Sequence, residues 1–414
     1  MISIWQAGQL VAGPFAGQLL AHFGAEVIKV EPPTTGDPVR VWRELDMDGV
    51  SIWFRSISRN KKSVTIDMRK DEGKKLVKEL AIKSDILLEN FRPGTLEKWG
   101  LGPSDIHPHN PDLIFTRVSG YGQTGPWAQR PGYASVCEGE AGFRYINGFP
   151  DEHGMLAGPS VRPNISFGDS ITGLHAAFGA VLALLSRGKR KSNGKIGGQT
   201  VDVSIMESIL NMTEGIIPEY SRKGVIRGPS GSCITGIVPT NAYPTSVPFS
   251  YILIGANGES IYERFMNAIG RPDLIGPDYA GNHKRVPRQA ELDGAISEWT
   301  RQRTSEEIVK IMNDANVPVG RVLNVKEIME NEHIRERGMI ERIHVPFRNT
   351  KGEATVDDAG WELDVNRVTP RLECDMPTRW AGPDLGQHNE EVLGGILGLS
   401  QSDMSGLRVR GVIG

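Results

Sequence analysis

Asp169 sits in Gly168-Asp169-Ser170-Ile171-Thr172-Gly173, directly before a long, alanine-rich apolar stretch. Asp is a favoured helix N-cap because its carboxylate accepts the unpaired N–H groups of the first turn. The same placement keeps a carboxylate ionised through those N–H groups and the helix dipole. An ionised, fixed carboxylate can attack an acyl carbonyl and carry a covalent intermediate. At this level both roles, cap and nucleophile, stay open.

Other stretches carry ligand-binding chemistry. Gly13-x-x-x-Gly17, followed by Glu31 at the end of EVIKVE, has the parts of a dinucleotide site: a helix start for a phosphate and an acid for a ribose. The G-x-G-x-x-G pattern is absent and Pro14 occupies the turn. Tight helix–strand packing and a CoA-type nucleotide contact therefore compete with the NAD reading. Asn90-Phe91-Arg92-Pro93-Gly94 follows the apolar run DILLE. In a parallel sheet that loop lies at the carboxyl edge, where ligands bind. Phe91 could stack on a base and Arg92 could meet a phosphate, or the stretch is only a Pro-Gly turn. Gly120, Gly122 and Gly125 either let a backbone approach a ligand or satisfy positive φ. RGKRKSNGK (187–195) reads as a solvated basic loop, and His175 as a packed or partly exposed residue rather than a catalytic one.

These residues need a scaffold. Apolar strand patterns at 3–5, 26–31, 63–67, 85–89, 113–118 and 200–205 alternate with helix patterns at 15–23, 72–81 and 171–186. That alternation predicts βαβ units and a largely parallel sheet, an α/β class. Residues 120–160 read as one long loop, the kind that is usually functional. Gly and Pro in 227–248 mark a boundary or a mobile loop. A smaller α/β segment follows, with a strand at 250–256 and helices at 260–269 and 305–315. A final helix is expected near 390–397.

At 414 residues the chain is long enough for two domains. Hydrophobic content of 39%, charged content of 23% and a net charge of −3 describe an ordinary globular protein without a nucleic-acid footprint. Cys137, Cys233 and Cys374 form no CxxC pair and suit a reducing compartment. No Cys/His cluster has zinc-ligand spacing. MISIWQAGQL lacks a basic signal region, and the apolar run 174–185 is too short for a bilayer. The expected location is the cytoplasm, or the mitochondrial matrix if a presequence has been removed.

Several stretches, taken in order, add a resemblance: AGPFAGQLLAHFGAEVIKVEPP with GDPVR, NKKSVTIDMRKDEGKKLVKEL, ENFRPGTLEKWGL, SGYGQTGPWAQRPGY, FGDSITGLHAAFGAVLALL, GQTVDVSIMESIL and GPDLGQHNEEVL. Together they resemble the class III CoA-transferases, the family of formyl-CoA transferase and carnitine CoA-transferase, over nearly the whole chain. The resemblance implies a Rossmann-like large domain built from both chain ends (1–224 and 316–414), a small α/β domain (225–315) and an interlocked homodimer. It implies no permanently bound cofactor, with coenzyme A entering as acyl-CoA substrate.

By the same resemblance Asp169 is the nucleophile that becomes an aspartyl-CoA thioester. Gly168, Tyr133 and Gly231 fall around the substrate and oxyanion, with Gly231 in a glycine-rich lid at 228–236. CoA contacts fall on Leu10, Val11, Ala12, Ile66, Arg69, Asn90, Phe91 and Lys98. Where formyl-CoA transferase has an Arg after the second strand, this chain has Pro32, and Arg40 is the expected substitute. The stretches PTNAYP, IGANGES and GRPDLIG look most like relatives that use succinyl-CoA, so a dicarboxylate partner is expected. The alternative within the family is an α-methylacyl-CoA racemase, whose His follows an A-G turn. Here the place holds Pro131-Gly132-Tyr133, which disfavours it. Outside the family, an NAD-dependent dehydrogenase lacks its glycine fingerprint, and the intact G-D-x-x-x-G disfavours a CoA-binding protein without catalysis.

Overall fold

Alternating apolar runs in the first part of the chain build strands whose two faces both need cover. β1 (Ser3–Gln6), β2 (Glu26–Glu31), β3 (Lys61–Thr65), β4 (Ile86–Glu89), β5 (Ile114–Ser119) and β6 (Thr200–Ser204) form one parallel sheet in the order β3-β2-β1-β4-β5-β6. Neighbouring residues point to opposite faces. Trp5, Ile28, Val64, Leu87 and Phe115 pack on one side with Leu76, Val77 and Leu80 of α2 (Asp71–Ile82). Val392, Leu393, Met404 and Leu407, from the far end of the chain, close that same side. Ile4, Val27, Ile86, Leu88 and Ile114 pack on the other side under α1 (Ala12–His22).

The computed structural model describes residues 1–346, 360–373 and 377–414, so Cys374 lies outside the described residues. Two compact units result. The first comprises Met1–Phe143, Pro163–Glu214 and Ile334–Gly414 and holds the six-stranded sheet. Besides α1 and α2 it contains α3 (Thr95–Lys98), α4 (Ala134–Glu140), α5 (Phe167–Ser192) and α6 (Ile205–Leu210). α4 lies inside the stretch expected as loop.

α5 is longer than the pattern at 171–186 predicts. Arg187–Ser192, read as loop, continues the helix, because Arg and Lys are good helix formers and their charges suit a helix C-terminus. Arg187 also pairs with Asp85 at 3.1 Å and Lys191 with Asp112 at 2.5 Å. Gly194, at φ 71°, follows the helix end. At 26 residues α5 is long and apolar enough to cross a membrane by length and composition alone. One face, however, is buried core: Ala176, Ala177, Ala180 and Ala183 pack with the α1 residues. Gly173 approaches α1 closely, since a Cβ there would lie 2.6 Å from the Ala12 carbonyl oxygen. Leu174, Phe178, Leu182 and Leu185 on other faces of α5 are exposed.

The second unit comprises Arg144–Arg162 and Gly215–His333. β7 (Thr240–Pro244), β8 (Tyr251–Gly255) and β9 (Val319–Arg321) form an antiparallel sheet. It packs on α7 (Glu259–Ala268), α8 (Gln289–Thr300) and α9 (Ser305–Asp314) through Tyr243, Ile252, Phe265, Ile296 and Met312. α8 had no expectation from sequence. The first unit ends with a hairpin of β10 (Ile340–Val345) and β11 (Trp361–Asn366), a helix at Glu390–Ile396 and a last helix α10 (Gln401–Val409).

Candidate active site

The strand order reverses at β1. From there the chain builds outward through β2 and β3, then returns to β4 on the other side. Such a reversal opens a crevice at the carboxyl ends of the strands. Asn90 ties its two sides together. Its side-chain oxygen accepts the Gln9 N–H at 2.8 Å and its amide donates to the Gln9 carbonyl at 2.7 Å. Gly8 must be glycine here, because a Cβ would lie 2.6 Å from Asn90 Oδ1. Leu10 takes a positive φ of 66° and donates its N–H to Asp37 at 3.1 Å. Leu10, Val11 and Ala12 thus occupy the turn that enters α1, with Val11 and Ala12 buried.

Beside this turn lies a cavity of about 370 Å³ lined by Gln9, Pro32, Ile66, Arg69, Phe91 and Trp99, among others. It brings together three residues named from sequence, Ile66, Arg69 and Phe91, from the ends of β3 and β4. Arg69 is exposed and reaches Asp67 with two nitrogens at 2.9 and 3.0 Å. Lys98 is exposed at the end of α3 and is not among the lining residues. Trp99 and Gln9 had no sequence expectation. Trp99 lies within ENFRPGTLEKWGL, and its aromatic ring was the available signal.

Two expectations for this region need correction. Arg40 does not substitute for the missing Arg at Pro32. It is 6% exposed, and its guanidinium grips Glu31 at 2.8 and 2.8 Å and donates to the Pro383 carbonyl at 3.0 Å. Glu31 is equally unable to hold a ribose: it is fully buried and also accepts from Ser63 at 2.7 Å and from the Asp37 N–H at 3.0 Å. Against the cost of burial, Arg40, Lys29 and Ser63 hold its carboxyl at about 2.

Asp169 is not the N-cap. Ser166 holds that position and makes no side-chain capping bond, so Asp169 lies within the first turn of α5. The cap comes from another element instead: buried Glu138, on α4, accepts the Gly168 N–H at 3.4 Å. A Cβ on Gly168 would lie 3.0 Å from Ile209, 3.2 Å from Ala134 and 3.2 Å from Glu138 Oε1. The two glycines of G-D-x-x-x-G are therefore close-approach residues, Gly168 towards α4 and α6 and Gly173 towards α1. Asp169 is held between them, half-buried.

α5 runs back from the carboxyl edge of the sheet before β6, so its start shares that edge with the Gly-rich loop after β5. Gly122 and Gly125 take φ of 92° and 87°, and the Gln123 N–H donates to Asp202 at 3.0 Å. Gly120 and Gly132 touch backbone to backbone, since a Cβ on Gly120 would lie 3.1 Å from Gly132 Cα. Cys137, buried in α4, donates its thiol to the Gly120 carbonyl at 3.4 Å. Burial, and then the charges of Glu140 and Asp169, push that thiol up to about 11, against a hydrogen bond with Tyr121. Asp169 is thus in electrostatic reach of the loop that Cys137 anchors. Tyr133 precedes α4 and is 69% exposed, next to the Ala134 that touches Gly168. Gly231 belongs to the second unit. There it takes φ 66° and donates its N–H to the Gly148 carbonyl at 2.9 Å.

A parallel-sheet crevice with an aromatic-lined cavity, and a carboxylate fixed in the first turn of a helix at the same edge, can hold a nucleotide-bearing acyl donor and attack it. Known proteins share the sequence and the fold of this chain. Residues 2–389 match the model of CoA-transferase family III. The chain is 42% identical, over all of its length and 97% of the relative's, to succinyl-CoA–D-citramalate CoA-transferase of Chloroflexus aurantiacus. It is 31% identical, over all of its length and 89% of the relative's, to human succinyl-CoA:glutarate CoA-transferase. A crystal structure of a CAIB/BAIF family protein from Brucella suis superposes with a TM-score of 0.77 at 26% identity, covering 95% of this chain and 98% of that one.

Proposed function

The chain belongs to CoA-transferase family III, and on that premise we propose that it moves CoA from succinyl-CoA, or a similar dicarboxylyl-CoA, to a free carboxylic acid through a thioester on Asp169. A carboxylate oxygen of Asp169 attacks the donor thioester carbonyl. The C–S bond breaks, giving a mixed anhydride and CoA thiolate. The thiolate attacks the aspartyl carbonyl, the donor acid leaves as its carboxylate, and aspartyl-CoA remains. The acceptor carboxylate then attacks aspartyl-CoA, the C–S bond breaks, and a second anhydride forms with release of CoA thiolate. CoA thiolate takes the acceptor acyl group and restores the Asp169 carboxylate.

Every step exchanges one activated acyl for another, so none needs a strong base or a net proton. Each tetrahedral oxyanion needs N–H or O–H donors, for which the exposed Tyr133 hydroxyl is the candidate, since the Gly168 N–H is already given to Glu138. The anhydrides need protection from water. Leu10, Val11, Ala12, Ile66, Arg69, Asn90, Phe91 and Lys98 form the proposed CoA-binding rim.

The observation that carries this reading is the shared edge: the cavity at Ile66, Arg69 and Phe91 and the start of α5 at Asp169 both belong to the carboxyl side of one parallel sheet. The strand order supports a Rossmann-like CoA-binding domain. The exposed Leu174, Phe178, Leu182 and Leu185 on α5 support a second copy covering that helix as a homodimer. The acceptors named for the relatives, citramalate and glutarate, support a dicarboxylic acid here.

The test is to incubate the enzyme with succinyl-CoA, trap with hydroxylamine and map the modified residue by mass spectrometry. The label is expected on Asp169, and Asp169→Ala is expected to lower transfer by at least about 10³-fold. Transfer by Asp169→Ala at near wild-type rate would sink the assignment. A panel of acceptor acids then identifies the partner.

A further inference from the structure

We propose that Glu89, through its counter-ion Arg117, is a positioning residue of the cavity: its carboxylate fixes the Phe91–Trp99 wall on which the nucleotide end of CoA docks. This rests on the reading of the chain as a CoA-transferase. Glu89 closes β4 and is 1% exposed. One carboxylate oxygen accepts the Phe91 N–H at 2.7 Å and the other accepts Arg117 Nε at 2.7 Å. Arg117 stands opposite Glu89 in the β4–β5 register. Its two terminal nitrogens continue to Glu97 at 2.6 and 3.2 Å. Glu97 lies on α3, which ends one residue before Trp99. Phe91 and Trp99 meet edge to face, with centroids 5.3 Å apart, and both line the cavity. One ionic relay therefore holds both ends of the segment 89–99.

The charged groups that face Glu89 are Arg117 from β5 and Glu97 from α3. Asp202, on β6, lies in the field of the same Arg117. Gln6 and Gly8, at the end of β1, bring no charge. Burial pushes the Glu89 carboxyl up to about 7, with Arg117 and the Phe91 N–H opposing it. Above that pH both oxygens accept hydrogen bonds. Below it one oxygen carries a proton and loses acceptor strength, and the relay loosens at the Phe91 wall.

Calorimetric titration of free CoA into the wild type and Glu89→Gln, at about pH 6 and about pH 8, tests this. The 3′-phosphate of CoA titrates in the same range but contributes equally to both proteins, so the difference between them is read. Wild type is expected to bind about tenfold more tightly at the higher pH, a gain that Glu89→Gln lacks. In turnover the loss is expected on KM for the acyl-CoA rather than on kcat. Equal pH dependence in the two proteins would overturn the proposal, as would a loss confined to kcat. If Glu89→Gln does not fold, Glu97→Gln serves instead: with Arg117 no longer shared, the midpoint should move to lower pH, and an unmoved midpoint overturns the proposal. Absence of CoA binding by wild type would overturn the transferase reading with it, whereas tight but pH-independent binding overturns this inference alone.

Discussion

Glu31 and Glu89 end the two strands that flank β1, and both are buried to within 1% of full enclosure. Their carboxyls nevertheless lie on opposite sides of the ordinary value, at about 2 and about 7. The difference lies in the donors. At Glu31 each oxygen receives two: Arg40 Nη2 and Ser63 on one, Arg40 Nε and the Asp37 N–H on the other. At Glu89 each oxygen receives one, and Arg117 is shared with Glu97. Burial makes the ionised form costly in both places, and the count of donors and counter-charges decides whether that cost is met. The β2 side is thereby locked, whereas the β4 side, which carries Phe91 towards the cavity, stays titratable.

The largest way to break this contrast is Glu31→Gln. It strands the Arg40 charge in the interior, and about 3–5 kcal/mol of stability should be lost near neutral pH in urea unfolding. A loss below about 1 kcal/mol would mean that the Arg40 pair is not what holds this side together.

The pH dependence comes next, with opposite signs at the two sites. Glu31 has a depressed folded value, so its contribution is present above about 4.5 and is lost as pH falls towards about 2. Glu89 has a raised folded value, so its contribution is fully present below about 4.5 and is lost as pH rises through about 7. Relative to Glu89→Gln, the wild type should therefore gain about 2–3 kcal/mol as pH is lowered from about 7.5 to about 4.5. A flat difference across that window would remove the contrast.

The smallest effect sharpens it. Glu97 is partly exposed, at 40%, so its repulsion of Glu89 through the shared Arg117 is screened. Glu97→Gln should change stability at neutral pH by about 1 kcal/mol or less. It should move the Glu89 titration, followed by isotope-edited infrared spectroscopy of the carboxyl stretch, to lower pH. A shift to higher pH would show that Glu97 orients Arg117 rather than competing for it.

Much of the frame was legible. EVIKVE and DILLE became β2 and β4 within a residue of their expected bounds, because apolar periodicity and local propensity act over a few residues. Ile66, Arg69 and Phe91 share a cavity, as order-of-motif reasoning expects for loops at one sheet edge. The start of α5 was less legible. Asp169 reads as a cap from its neighbours, yet the capping group is Glu138, which accepts the Gly168 N–H from 30 residues earlier in the chain. Trp99 and Gln9 were missed for a related reason: their place on the cavity wall depends on turns that fold them towards Phe91. Arg40 shows the reverse error, because a free-looking cation in sequence is consumed by Glu31 in the fold.

The sequence by itself determined which segments alternate as strand and helix, and which glycines and acids stand in a recognisable order. Those properties follow from local sterics and from hydrophobic patterning. Only the tertiary structure decided that Glu31 is locked and Glu89 poised, that Gly8 and Asn90 close the β1 turn, and that Glu138 caps the helix bearing Asp169. Each of these depends on groups brought within hydrogen-bond distance by parallel-strand register and helix packing. A buried charge is governed by the neighbours it meets in space rather than by those beside it in the chain.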